Sequence, residues 1–128
     1  MNKKTILLLS IVIIGISCTK KEKQKMMNYT IELVKFKSKK GIDPSTFTSA
    51  LITLDHFIKE QPGFIARELS SDKNGLYVDY IKWVDLKSAN IAAKKIMKSE
   101  KCMQVFALID EKSIQMSHTR ISHFFQRN

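Results

Sequence analysis

The chain has 128 residues, of which 22 are lysine or arginine and 12 are aspartate or glutamate, so its formal charge is +10. This length accommodates one domain with its own hydrophobic core. The four glycines leave little room for a glycine-rich phosphate loop, and the chain has neither a Walker motif nor a nucleophile elbow, which excludes the chemistry that those motifs support.

Residues 1–18 contain two lysines, an apolar run from Ile6 to Ile14 and small residues before Cys18. This pattern resembles a bacterial lipoprotein signal, which implies cleavage before Cys18 and acylation of that cysteine. A plain membrane anchor is the alternative, but Ile6 to Ser17 would extend only ~18 Å as a helix, against roughly 30 Å of hydrocarbon. We therefore expect a lipid-anchored protein of the cell envelope, held on the non-cytoplasmic side of a membrane.

Residues 19–27 begin with TKKEKQK, which has no apolar residue, so we expect a flexible, lysine-rich tether. Six lysines and one glutamate within residues 1–25 account for half of the net charge. Because lysines beside anionic head groups each contribute about 1 kcal/mol of attraction, this charge suits a membrane surface, and nucleic acid is not an expected partner. The domain is predicted to span residues 28–124.

The first half of the domain is predicted to be a strand followed by a helix. Tyr29 to Lys37 contains β-branched and aromatic residues, with apolar side chains on both faces. Asp43 and Pro44 are typical of a helix N-cap and first helical position, and apolar residues then recur every three or four positions for about four turns. Pro62 and Gly63 end this helix.

A β-hairpin is predicted over residues 64–84, because Asp72-Lys73-Asn74-Gly75 is a strong turn pattern between two strand-like segments. Asp85 is expected to cap a second helix over residues 86–101, and Ser99 to begin a shorter one. Ser113 to Phe124 is the last predicted strand.

The predicted order is β-α-β-β-α-β, an α+β ferredoxin-like arrangement with a four-stranded antiparallel sheet. Two helices cover one face of such a sheet, yet the first and third strands carry large side chains on both faces. Since a large exposed apolar face is uncommon on a monomer, we expect a homodimer in which two sheets pack face to face.

Four segments within residues 28–124 form a recognisable set: Gln61-Pro62-Gly63-Phe64, Tyr77-Val78-Asp79-Tyr80-Ile81-Lys82-Trp83, residues 89–93 and Phe106-Ala107-Leu108-Ile109-Asp110. This set resembles the antibiotic biosynthesis monooxygenase-like superfamily. The resemblance implies a dimeric α/β barrel and a cofactor-independent oxidation of a small aromatic or quinol-type molecule. The superfamily also contains haem-degrading enzymes, which use a histidine on the second helix. Residues 86–101 contain no histidine, so no cofactor is expected.

Two side chains are candidates for acid–base chemistry. Alternation along the third strand places Asp79 on the face of Trp83, and His118 lies in the last strand. A carboxylate and an imidazole that pair inside one pocket can provide a base near neutral pH, so Asp79 and His118 are the predicted catalytic residues. The substrate would be a small apolar or aromatic molecule, bound by Trp83, Tyr77, Arg67 and Met116.

The same residues also have a purely structural interpretation. Asp79 would pair with Arg67 or Arg120 across the sheet, His118 would be a hydrogen-bonded interface residue, and the two aromatic residues of the third strand would belong to the core. On this interpretation the domain is a non-catalytic dimeric protein of the cell envelope that binds a small molecule or another protein.

No metal site is predicted from the histidines or cysteines. His118 and His123 are five residues apart in one strand and so lie on opposite faces, whereas His56 is in the first helix. Cys102 has no partner once Cys18 carries lipid. A single cysteine on a helix is usually a small buried apolar residue.

Overall fold

A computed structural model of the protein describes residues 19–127. The predicted signal at residues 1–18 lies outside the described residues, so lipidation of Cys18 stays a prediction. The strands are β1 (Thr30–Phe36), β2 (Phe64–Ser71), β3 (Tyr77–Trp83) and β4 (Gln115–Arg120). The helices are α1 (Lys20–Met27), α2 (Pro44–Thr53), α3 (Asp55–Ile58), α4 (Leu86–Ile96) and α5 (Glu100–Phe106), and a 3-10 turn covers Glu111–Ser113. Between residues 19 and 127, no helix is both long enough and apolar enough to cross a bilayer.

The four strands form one antiparallel sheet in the order β2-β3-β1-β4. The predicted α+β ferredoxin-like fold is therefore confirmed. Strand β1 pairs on one side with β3 and on the other with β4, so that Glu32 lies opposite both Ile81 and His118. Because directly opposed residues project from the same face, this register determines which side chains meet beneath the helices.

One face of the sheet packs against α2, α4 and α5 and forms the hydrophobic core. The alternation predicted for β3 is present, since every second residue from Tyr77 to Trp83 is buried. Tyr77 stacks on Phe36 with ring centroids 5.9 Å apart, and Phe47 packs edge-on against Tyr77 at 5.0 Å. Each such buried side chain contributes ~1.5–3 kcal/mol, and aromatic pairs add about 0.5–1.5 kcal/mol. Cys102 is also buried in this core.

The predicted caps and hairpin turn form as hydrogen-bonded structures. Asp43 and Asp85 each accept a hydrogen bond from the backbone N–H three residues further on, at the beginnings of α2 and α4. In the hairpin turn, the Asp72 carboxylate accepts from the Asn74 N–H at 2.8 Å, and Gly75 adopts a φ of +76°. These local residues fix the directions in which the helices and β3 leave their turns.

The first predicted helix is divided into α2 and α3 at Leu54. The Leu54 N–H donates to the Leu51 carbonyl at 3.2 Å, which is a tighter turn than in an α-helix. The periodicity continues through this turn because Leu54 and Ile58 both reach the core. The last predicted strand is shorter than expected and ends at Arg120, where its pairing with β1 also ends.

The segment predicted to be a flexible tether contains the helix α1. Thr19 accepts from the Glu22 N–H, and the Glu22 carboxylate accepts from the Thr19 N–H, which together make a capping box. The T-x-x-E pattern that produces this motif is visible in the sequence. Helix α1 buries none of its residues, so local hydrogen bonds rather than core packing support it.

The other face of the sheet also carries apolar residues. Ile31 is buried on this face, and Leu33, Val78 and Tyr80 are half-buried. The apolar side chains on both faces of β1 and β3, predicted from the sequence, are therefore present. The homodimer that they led us to expect is taken up below as a proposal.

Candidate functional site

A cavity of about 630 Å³ lies between the helix-covered face of the sheet and the helices. Its helix side is lined mainly by aliphatic, aromatic and methionine side chains, including Leu51, Leu54, Phe57, Ile58, Ala92, Ala93, Ile96, Met97, Met103 and Phe106. Its sheet side is lined by Glu32, Val34, Phe36, Asp79, Ile81, Trp83 and Met116. An apolar cavity with a few polar groups is the usual form of a small-molecule site.

Arg67 and Asp79 form a closed ion pair beside this cavity. Arg67 donates from Nε to Asp79 Oδ1 at 2.9 Å and from Nη2 to Oδ2 at 2.6 Å. Its Nη1 also donates to Asp55 Oδ1 at 2.8 Å and to the Leu51 carbonyl at 3.0 Å. The side chains of Arg67 and Asp79 are only 5% and 8% exposed. Both Asp79 oxygens are thus engaged by one guanidinium.

The environment of Arg67 keeps its guanidinium charged. Burial by itself would lower the pKa of Arg67, but hydrogen bonds and charge from Asp79, followed by those from Asp55, outweigh the burial and raise the pKa. A bidentate contact of this kind is geometrically specific. The pair therefore joins β2 to β3 and, through Asp55 and the Leu51 carbonyl, both strands to the first helical region.

Glu32 and His118 form a second, more open pair. His118 Nε2 lies 2.7 Å from Glu32 Oε2, across the β1–β4 register. The Glu32 side chain is 9% exposed and lines the cavity, whereas the His118 side chain is 26% exposed. The pair thus extends from the cavity wall to the surface of the domain.

Two buried polar atoms on side chains of the cavity wall have no hydrogen-bond partner within residues 19–127. They are the Trp83 Nε1–H, a donor, and Gln61 Oε1, an acceptor. The other end of the Gln61 amide donates to the Phe57 carbonyl at 2.9 Å, which holds the side chain in place. Trp83 packs edge-on against Phe64, with centroids 5.9 Å apart.

The structure divides five of the predicted site residues into three groups. Asp79, Trp83 and Met116 line the cavity. Arg67 is not part of the cavity wall, but it donates hydrogen bonds to Asp79, which is. Tyr77 is not on the wall either, because its ring lies in the aromatic core and its hydroxyl is 2.8 Å from Thr48 Oγ1.

Asp79 and His118, the predicted catalytic pair, are not brought together. Asp79 lies opposite Val34 on one side of β1, and His118 lies opposite Glu32 on the other side. Each has a partner of its own, so the structural interpretation of Asp79 as the partner of Arg67 describes its geometry. The predicted partner of His118 was the wrong carboxylate, because β4 pairs with β1 and not with β3.

Glu32 is, together with Gln61, a polar wall residue that sequence reasoning missed. Its one available indication is its position, since a carboxylate in the middle of a strand with apolar residues on both faces is uncommon. Elsewhere in residues 19–127, no three histidine, cysteine, aspartate or glutamate side chains are grouped as a metal site requires.

The fold and the cavity define a small ferredoxin-like α+β domain with an apolar chamber under its helices. No protein-family model matches the chain, and no curated protein sequence matches it. Solved structures resemble it in fold. A variant of SnoaB, a cofactor-independent oxygenase from Streptomyces nogalater, is 17% identical with a TM-score of 0.66, over 78% of this chain and 99% of that one.

Two further structures have the same fold. A monooxygenase of Streptomyces coelicolor, in complex with nanaomycin D, is 14% identical with a TM-score of 0.62, over 84% of this chain and 99% of that one. A proposed antibiotic biosynthesis monooxygenase from Bordetella bronchiseptica is 11% identical with a TM-score of 0.62, over 73% of this chain and 96% of that one. What these similarities establish is the fold.

Proposed function

We propose that the domain binds a small aromatic molecule, such as a phenol or quinol, in the cavity and oxidises it with O₂ without a cofactor. The observation that carries this proposal is the apolar cavity with two unpartnered buried polar atoms on its wall. Its fold neighbours include a cofactor-independent oxygenase and a monooxygenase, which supports the same class of reaction.

The cavity suits an aromatic guest in size and in chemistry. Its volume of about 630 Å³ lies within the ~300–1,000 Å³ typical of ligand pockets. Phe57 and Phe106 offer ring faces and edges to a flat molecule. Met97 and Met103 contribute unbranched, polarisable side chains that adapt to its outline.

The unpartnered atoms would orient the ligand. Leaving a buried donor or acceptor unsatisfied costs roughly 1–3 kcal/mol. A ligand hydroxyl can accept from Trp83 Nε1–H or donate to Gln61 Oε1, and a quinone carbonyl can accept from Trp83 alone. Substrate and product would therefore differ in their hydrogen bonds at this end of the cavity, which favours release after oxidation.

The reaction balances without a further reductant. A phenol and O₂ give a quinone and one water, so the substrate supplies all the electrons. The domain's task is then to hold the ring away from water, to orient it and to take up the hydroxyl proton, because the phenolate gives up electrons more readily than the phenol. An apolar chamber with carboxylates on its wall is adequate for these tasks.

The chain's single tryptophan provides a direct test. Because Trp83 lines the cavity, a bound naphthol should quench its fluorescence, and a hydroquinone or naphthol should be consumed together with O₂. Ala93→Leu places a larger side chain in the cavity and should abolish both effects. Lys94→Leu, at the adjacent exposed position of α4, is the matched control and should leave both unchanged.

Unchanged quenching and turnover in Ala93→Leu would show that the ligand binds elsewhere. Quenching without any consumption of O₂ would instead favour a non-catalytic small-molecule-binding protein. That second candidate has its own support, since Asp79 is fully engaged by Arg67 and does not meet His118.

We also propose that two copies pair through the open face of the sheet. Leu33, Val78 and Tyr80 are half-buried there and lie outside the hydrophobic core of the described residues, and pairing would remove them from water. Light scattering on the domain should report a dimer, and a stable monomer would overturn this part. Lipid on Cys18 would hold that dimer at a membrane of the cell envelope.

A further inference from the structure

We propose that Glu32 and His118 form a proton path that leads from the cavity to solvent. This inference rests on the proposed function, because it assigns the group that takes the proton of a bound phenol. It names Glu32 as the proton-accepting residue at the ligand, and His118 as a positioning and relay residue that acts through Glu32.

The placement of the two side chains carries the proposal. Glu32 is on the cavity wall, its side chain is nearly inaccessible, and its carboxylate is 2.7 Å from the His118 ring. His118 is absent from the wall and is partly exposed to solvent. One end of the pair therefore faces the ligand and the other end faces water, which is the arrangement that a relay requires.

The other charged groups on this face either have ion-pair partners of their own or lie at other positions than Glu32. Asp79 is neutralised by Arg67. Arg120 lies two residues beyond His118 on β4, opposite Thr30 and not opposite Glu32. Glu111 also lines the cavity but belongs to an exposed turn. Among the described residues, His118 is the side chain in ion-pairing distance of Glu32, so proton uptake by Glu32 is coupled directly to the imidazole.

The proton balance is simple. The phenol O–H transfers its proton to a Glu32 oxygen, and the Glu32–His118 pair then holds one additional proton. His118 releases that proton to water through its exposed ring. No bond other than the O–H bond is broken in this step, and the phenolate remains in the cavity for oxidation.

A nitrophenol tests the path, because its ionised form absorbs at a longer wavelength and because the probe quenches tryptophan fluorescence. At a pH below the probe's own pKa, the wild-type domain should bind it and ionise it. Glu32→Gln should bind it with similar affinity but lower the ionised-to-neutral ratio by about tenfold, the effect of one pKa unit. Turnover of a hydroquinone should fall by about 10²-fold, with KM nearly unchanged.

Two further variants complete the experiment. Glu100→Gln makes the same change at an exposed position of α5, outside the cavity wall, and should behave as wild type. His118→Asn retains the carboxylate and should alter the pH profile of ionisation, which a purely structural residue would not do. It also tests the path if Glu32→Gln does not fold.

The outcomes separate the two proposals. If the nitrophenol quenches Trp83 and is ionised equally in the wild type, Glu32→Gln and His118→Asn, then the proton path is overturned and the binding site stands. If neither the nitrophenol nor any naphthol or hydroquinone quenches Trp83, then the proposed function fails and the path fails with it.

Discussion

Two acid–base pairs lie on the same face of the sheet, and they are built for different purposes. Three hydrogen bonds join Arg67 to Asp79, and Nη1 of the same guanidinium donates to Asp55 and to a backbone carbonyl. Glu32 and His118 share one contact, and the His118 side chain keeps 26% of its exposure. A buried pair with several hydrogen bonds holds strands together. A pair with one contact and access to water can transfer a proton.

The two pairs divide the predicted catalytic residues between them. Asp79 and His118 each belong to a different one of these two pairs. The structural interpretation describes the geometry of Asp79, while the chemical hypothesis for His118 now involves Glu32.

The largest effect is expected from breaking the closed pair. Arg67→Met would leave the Asp79 carboxylate buried without its partner, which typically destabilises a domain by about 3–5 kcal/mol. Urea unfolding should show this loss in the free energy of unfolding. Lys101→Met, at an exposed position of α5, is the control and should change that free energy by less than about 0.5 kcal/mol. A loss below about 1 kcal/mol in Arg67→Met would mean that the closed pair is not structural.

A smaller effect on stability is expected from the open pair. Glu32→Gln preserves the shape of the side chain and removes its charge, so the free energy of unfolding should change by only about 1 kcal/mol. The same urea measurement applies. A loss equal to that of Arg67→Met would remove the distinction between the pairs, because Glu32 would then be part of the scaffold.

Local sequence patterns predicted most of the fold because they act over a few residues. The structure contains the local hydrogen bonds expected at three of these patterns, which are Asp43-Pro44, Asp72 to Gly75 and Ser99. Strand alternation likewise assigned Asp79 and Trp83 to the cavity face, because the pleat repeats every two residues.

The partners across the sheet could not be predicted in the same way. Which strand lies beside β4, and in which register, depends on packing of the whole domain, and that choice puts His118 opposite Glu32. The turn at Leu54 was also missed, since apolar spacing continues across it and hides the change in hydrogen bonding. The helix at residues 20–27 was missed because its capping box acts without core packing.

The smallest effect is expected at a carboxylate that is exposed and yet hydrogen-bonded. Hydrogen bonds from the Ser45 side chain and then the Thr46 N–H hold the pKa of Asp43 below its ordinary value of 3.8. A lowered folded-state pKa contributes stability that is present above 3.8 and is lost as the pH falls through the folded value. Asp43→Asn keeps a capping oxygen that does not titrate.

The stability of Asp43→Asn should therefore match the wild type at neutral pH. In acid below 3.8, the wild type should lose stability relative to the variant, as urea midpoints measured at both pH values would show. An identical acid loss in the two proteins would mean that Asp43 gains nothing from its charge. Hydrogen bonds to a carboxylate would then stabilise this domain only where the carboxylate is buried, as in the pair of Arg67 and Asp79. Burial, and not the number of hydrogen bonds, would be the property that gives the closed pair its structural role.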